Sequence, residues 1–144
     1  MSKHTTSHHL EPTQDAGREL FSRGISGPVV MLNLLRFREV ADYSAYPDMA
    51  PEQAISGEEA YRRYMRETLP CLEQSGGEVL FFGRGGPFFI GPVEERWDAV
   101  LLVKQASLQS FLAFASNPDY LPVLAHRVAA LEDSRLLPLE QENA

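Results

Sequence analysis

The chain has a single cysteine, Cys71, in 144 residues, which excludes an internal disulfide and any zinc site built from several thiolates. Positive charge is also scarce. Thirteen Lys and Arg against 20 Asp and Glu leave a formal charge of −7, and no basic cluster offers the surface that phosphate backbones require. Nucleic acid is therefore not an expected partner. No long apolar run occurs either: the longest uncharged stretch, Gln105 to Pro118, is shorter than the ~18 residues a membrane span needs. The opening MSKHTTSHHL lacks the apolar segment of a secretory signal. Together these absences describe a cytoplasmic protein with no membrane partner. A Walker sequence, a Gly-x-Ser-x-Gly elbow and a His-Glu-x-x-His pair are missing as well. Nucleotide, acyl-enzyme and metal mechanisms lose their usual support, and neither metal nor cofactor is expected.

What is present suits one globular domain, with 44% hydrophobic and 23% charged residues, both ordinary values for a chain with a core. Residues 1–26 read as an N-terminal extension, 27–140 as the domain and 141–144 as a tail. In the extension, PTQDAGRELFSRG over 12–24 predicts a short helix after a proline suited to a first turn. His4, His8 and His9 precede it in a polar leader rich in Ser and Thr, which reads as frayed rather than as a metal site. Cys71, within Leu69-Pro70-Cys71-Leu72, reads as a buried structural thiol near a helix end.

After Gly27-Pro28 comes VVMLNLLRF, residues 29–37, apolar on both faces and so expected as a strand covered on both sides. Residues 38–55 show no period and read as a surface excursion. Ser56-Gly57-Glu58-Glu59 has capping-box spacing and starts a helix. Tyr61, Tyr64, Met65, Thr68 and Leu72 form its apolar stripe, with a kink expected at Pro70. Glu78–Phe82 and Phe88–Ile90 are expected as extended segments broken by a bulge or tight bend at Gly83-Arg84-Gly85-Gly86. The run from Trp97 to Val103 reads as an interior strand. Ser107 caps a helix that Asn117-Pro118 interrupts before a second helix, which aligns Tyr120, Leu124, Arg127, Val128 and Leu131. Leu136–Leu139 closes the domain as an edge strand.

The order strand, helix, strand, strand, helix, strand is the split βαβ pattern of an α+β, ferredoxin-like sandwich with a four-stranded antiparallel sheet. Helices cover one sheet face. Both alternating sets in 29–37 are apolar, so the other face needs a cover, and a second copy in a two-fold homodimer supplies it most simply. The run VVMLNLLRF, the capped SGEEAYRRYM, the glycine-rich GGEVLFFG, the strand start RWD and the late HRVAALEDSRLLP together resemble the DUF1330 family over roughly residues 27–139. That family is similar to the dimeric α/β-barrel superfamily, in which two ferredoxin-like subunits pack sheet to sheet and each keeps a cleft. The superfamily spans cofactor-independent monooxygenases, isomerases and haem enzymes, so the resemblance implies a fold without fixing a reaction.

Several side chains are candidates for chemistry. Asn33 is the one uncharged polar group in its strand; it either binds a ligand carbonyl or hydroxyl in a cleft, or pairs with backbone. Asp98, after Trp97 at a strand start, is a candidate base at a cleft rim, or else an ion-pair partner of Arg96, Arg36 or Arg127. His126, in the second helix, is the other candidate base. Arg127, neighbouring it on the apolar stripe, holds a carboxylate of the protein or of a ligand. Trp97 is a ligand wall or a packing residue. The expected catalytic pair is thus Asp98 and His126, with Asn33, Arg36, Trp97 and Arg127 positioning a small organic, aromatic or acidic molecule in an apolar cleft. Metal-independent proton transfer or oxygenation would follow; a non-catalytic sensor or carrier, or a purely structural dimer, is the alternative.

Overall fold

A computed structural model describes residues 8–142. His4 and the end of the tail lie outside that range. Helix α1 (Gln14–Ser22) opens on Thr13, whose side chain accepts from the Ala16 N–H, with Asp15 in the first turn; both features satisfy the unpaired donors of a helix start. Strand β1 (Val29–Phe37) then runs through the middle of the sheet, burying Val29, Met31, Asn33 and Leu35 on one side. The 38–55 excursion contains one short 3-10 turn, Pro47–Met49.

Helix α2 (Gly57–Gln74) starts where the sequence places it: Ser56 Oγ accepts from Glu59 N at 3.0 Å. It runs through Pro70, and the expected kink is not a break. Its buried side carries Ala60, Tyr61, Tyr64, Thr68, Cys71 and Leu72. Strands β2 (Glu78–Pro87) and β3 (Arg96–Gln105) follow, then α3 (Leu108–Ala115), capped by Ser107. A single 3-10 turn leads into α4 (Leu124–Ala130), and β4 (Leu131–Glu140) ends the domain. The sheet order is β2-β3-β1-β4, all antiparallel, which is the ferredoxin-like α+β topology. The main core lies between the sheet and the α2/α4 pair, around Leu35, Tyr61, Ala99, Leu101 and Leu131.

Five expectations need correcting. Gly83-Arg84-Gly85-Gly86 is not a bend, because β2 runs straight through it. Its glycines serve close approach: a Cβ on Gly83 would meet the Phe81 ring at 2.5 Å, and one on Gly85 would meet Trp97 O at 2.6 Å. Phe88–Ile90 is consequently not a strand but part of the exposed β2–β3 connection. The last helix stops at Ala130, since Leu131 pairs with Phe37 in the sheet and β4 begins there, well before Leu136. The leader is not frayed at its described end. His9 N donates to Asp133 Oδ1 at 2.8 Å, Ser134 Oγ bonds to His9 O, and Arg127 bonds to Leu10 O, so residues 9 and 10 lie along β4. Finally, β1 is covered on one side only within the chain: Val30, Leu32 and Leu34 face away from the helices and keep partial exposure.

Among the described residues no helix is long and apolar enough to cross a membrane, and no three His, Cys, Asp or Glu side chains gather as metal ligands. Cys71 is buried and free.

Candidate functional site

The end of β1, the first turn of α2 and the outer ends of β2 and β3 enclose a cleft of about 310 Å³, lined by Phe37, Arg38, Glu39, Ser56, Glu58, Arg84, Gly85, Arg96 and Asp98. What brings α2 against the end of β1 is Gly57. Its N–H donates to Arg38 O at 3.0 Å, while Arg38 N donates to Ala130 O at 2.8 Å, so three backbones meet where only a residue without a side chain fits.

Asp98 is half-buried in this cleft, as a rim position required. Its Oδ2 accepts from Phe37 N at 2.8 Å, which fixes the carboxylate plane, and its Oδ1 faces Arg96 Nη2 at 3.4 Å. The second oxygen is thus only loosely held. Glu58 accepts from Arg62 and from Arg84, at 3.1 and 3.3 Å. Arg38 differs from the other two arginines of the cleft: its Nε is buried and has no hydrogen-bond partner among the described residues. A buried guanidinium donor left open is costly and marks a place where an acceptor belongs. The cleft is therefore polar, with three guanidinium groups against three carboxylates, and not the apolar cavity expected from the sequence.

The remaining candidates do not join Asp98 there. Asn33 faces the helices, and its Nδ2 donates to Met31 O and Leu101 O at 3.3 and 3.2 Å; the backbone alternative is the one the structure displays. Arg127 donates to Leu10 O at 2.7 Å and to Ser134 Oγ at 3.4 Å, holding a backbone carbonyl rather than a carboxylate. Arg36 and Trp97 do come together. The Trp97 ring lies 4.7 Å from the Arg36 guanidinium and 5.0 Å from that of Arg135, and its Nε1 donates to Glu95 at 3.2 Å. Arg36 also donates twice to Arg96 O. The buried indole thus packs against two partly exposed cations, contacts worth ~0.5–1 kcal/mol each. Beneath the stack sits Asp133, almost without exposure. Burial acts to raise its pKa, but the His9 N–H, Arg135 and the Ser134 N–H together outweigh it and hold the carboxyl below its ordinary value.

His126 is buried in a separate constellation. Its Nε2 lies 3.4 Å from Glu67 Oε2 on α2, and its Nδ1 is 2.7 Å from the hydroxyl of Tyr43 in the excursion. The direction of the Tyr43–Nδ1 hydrogen bond follows the imidazole tautomer. The residues that sequence reasoning missed are Arg38, Glu58 and Arg84 in the cleft and the His126 partners Tyr43 and Glu67. Only Arg38 carried a signal, as the charge immediately after an apolar strand.

A scan against protein-family models finds no match, and no curated protein matches the chain. Among solved structures, RPA0582 of Rhodopseudomonas palustris, a protein of unknown function, is 35% identical. The match covers 96% of this chain and 100% of that one, with a TM-score of 0.81. The methylated form of RPA0582 gives the same identity and TM-score over 96% and 98% of the two chains. A dimeric ferredoxin-like protein of unknown function from Thermobifida fusca is 14% identical over 81% of this chain and 92% of that one, with a TM-score of 0.49.

Proposed function

The chain belongs to one family with RPA0582 of Rhodopseudomonas palustris, and from that premise we propose that it is a homodimeric small-molecule-binding protein of the DUF1330 type. Its cleft at Asp98 takes a small organic acid. The observation that carries the ligand is the buried, unpartnered Arg38 Nε in the same cleft as the loosely held Asp98 Oδ1. A carboxylate on the ligand satisfies Arg38, and a hydroxyl or amine on the same molecule donates to Asp98. The dimer is supported by the uncovered sheet face. Leu34 lies opposite Val100, and Leu32 lies between Leu102 and Leu137, with Phe81 beyond Leu102. Phe81 is 54% and Leu137 53% exposed, too much contiguous apolar surface for a protomer alone.

Proton transfer without a metal is the second reading, favoured by the hold on Asp98. One oxygen is fixed by a backbone N–H, so the other is oriented to accept a proton from a bound acid's neighbouring carbon or hydroxyl. Native mass spectrometry of the purified protein tests both parts of the proposal. A dimer with added mass that denaturation releases is expected, and Arg38→Gln and Asp98→Asn should lose that mass while staying dimeric. A ligand-free monomer overturns the proposal; a ligand-bearing dimer whose mass survives both substitutions moves the ligand elsewhere.

A further inference from the structure

The β2–β3 hairpin goes on pairing past the last rung between β1 and β3. The β1–β3 ladder ends at Leu35 opposite Ala99, yet β2 and β3 continue to pair through Gly86 with Trp97 and Pro87 with Arg96. Those three further positions on β3 carry the hairpin ~10 Å past that last β1–β3 pair, alongside Arg36 and Phe37 at the end of β1. At its tip the exposures are extreme for large apolar side chains: Phe89 101%, Ile90 87% and Val93 91%. Nearly all of their surface is left uncovered by their own chain. The base of the hairpin, by contrast, is pinned down. Trp97 is held between Arg36 and Arg135, Arg36 bonds to Arg96 O, and Asp98 bonds to Phe37 N. A rigid base carrying an unpartnered apolar end is a preorganised contact, since little freedom is lost when the tip docks.

We propose that this tip is an arm that each protomer lays on the other, so that the dimer is closed by two reciprocal hairpins as well as by its sheet faces. The inference rests on the dimer reading above and names the element that completes it. Area argues for a second copy as the occupant. A four-stranded ladder from Val29 to Leu35, at ~3.3 Å per residue and ~4.8 Å per strand, offers roughly 440 Å² of face per protomer. A stable interface buries about 800 Å² per partner. Three nearly naked tip residues, one of them aromatic, add roughly 400 Å² and close the gap. The apolar surface is also continuous. Phe81 and Leu102, on the two strands of this hairpin, belong to the uncovered face, so a copy seated on that face lies beside the arm. The flanking Glu94 and Glu95 disfavour an anionic membrane as the occupant.

Sedimentation equilibrium on three forms of the full chain tests the arm: wild type, Phe89→Ser with Ile90→Ser and Val93→Ser, and Leu137→Lys on the sheet face. All altered side chains are more than half exposed, so each protomer should fold. The triple variant should weaken dimerisation about 30-fold or more, the effect of losing several interface anchors. Leu137→Lys should weaken it independently. If the wild type is a dimer and the triple variant matches its dissociation constant, the arm is overturned while the sheet-to-sheet dimer stands. If the wild type is monomeric at its highest soluble concentration, both fall. Binding of wild type to neutral phosphatidylcholine vesicles that the triple variant has lost, with dimerisation unchanged, assigns the tip to a bilayer and also overturns the arm.

Discussion

Replacing Gly57 by alanine adds one methyl group where three backbone atoms already stand. The new Cβ would lie 2.2 Å from Arg38 O, 2.6 Å from Ala130 O and 2.7 Å from Arg38 N. None of these is a side-chain tip that can swing away, so relief requires α2 to retreat by about 1 Å from both neighbours, an overpacking cost of roughly 1–3 kcal/mol. The retreat also stretches the Gly57 N to Arg38 O and Arg38 N to Ala130 O bonds, each worth about 1 kcal/mol net. The total is about 3–5 kcal/mol, a large fraction of the roughly 5–15 kcal/mol of a typical domain. At about 3–4 °C per kcal/mol for a chain of this size, the melting temperature should fall by roughly 10–20 °C. Gly17→Ala is the matched control, because a Cβ there meets nothing within 4 Å. In the middle of an exposed helix it should raise stability by up to ~1 kcal/mol. Urea unfolding followed by far-UV circular dichroism measures both. A Gly57→Ala protein within about 1 kcal/mol of wild type would refute the claim that this contact sets how α2 meets β1 and α4, and with it the geometry of the Arg38 cleft.

The Asp133 carboxyl is held below its ordinary pKa of 3.8, so its contribution is complete above the unfolded value and is lost as pH falls through the folded one. Wild type should therefore lose stability below about pH 4, whereas Asp133→Asn should be about 2–3 kcal/mol less stable at pH 7 and flatter below pH 4; parallel stability curves for the two proteins would contradict the assignment. Burial pushes the phenols of Tyr43, Tyr61, Tyr64 and Tyr120 above 10.0. A raised folded pKa adds stability that is present below the unfolded value and disappears as pH climbs past it. Absorbance at about 295 nm should therefore show these tyrosines ionising together with the loss of circular dichroism above about pH 10; smooth ionisation in a protein with native dichroism would be the contrary result.

The parts of this fold that could be read in advance are those whose cause is local. Ser56 with Glu59 and Ser107 with Ser110 announce helix starts because a hydroxyl satisfies an N–H three residues on, and the apolar runs of β1 and β3 announce strands because no polar face interrupts them. What escaped was decided at a distance. The segment from Leu131 to Leu136 suits a helix as well as a strand, and it becomes β4 because Phe37 and Arg36 present a ladder to Leu131 and Asp133. The glycines after Phe82 look like a turn until Trp97 O and the Phe81 ring are seen to need the missing side chains.

The same division runs through the candidate site. Asp98 was legible because a carboxylate beside a tryptophan at the head of an apolar strand has few places to go. Arg38, Glu58 and Arg84 come from three segments that nothing in the sequence links: Gly57 lets α2 meet the end of β1, and Arg84 joins from β2 through Glu58. His126 was legible as the one histidine beyond the N-terminal extension, yet its chemistry depends on Tyr43, which sits in a stretch with no period to read. Its buried hydrogen bond ties the 38–55 excursion to α4, and through Glu67 to α2. The excursion and the cleft therefore share α2 as a common support. A change that shifts α2 at Gly57 should disturb the Arg38 cleft at one end of the helix and loosen the Tyr43 tether further along it. A change in the hairpin tip, anchored through Trp97 on β3, should disturb neither.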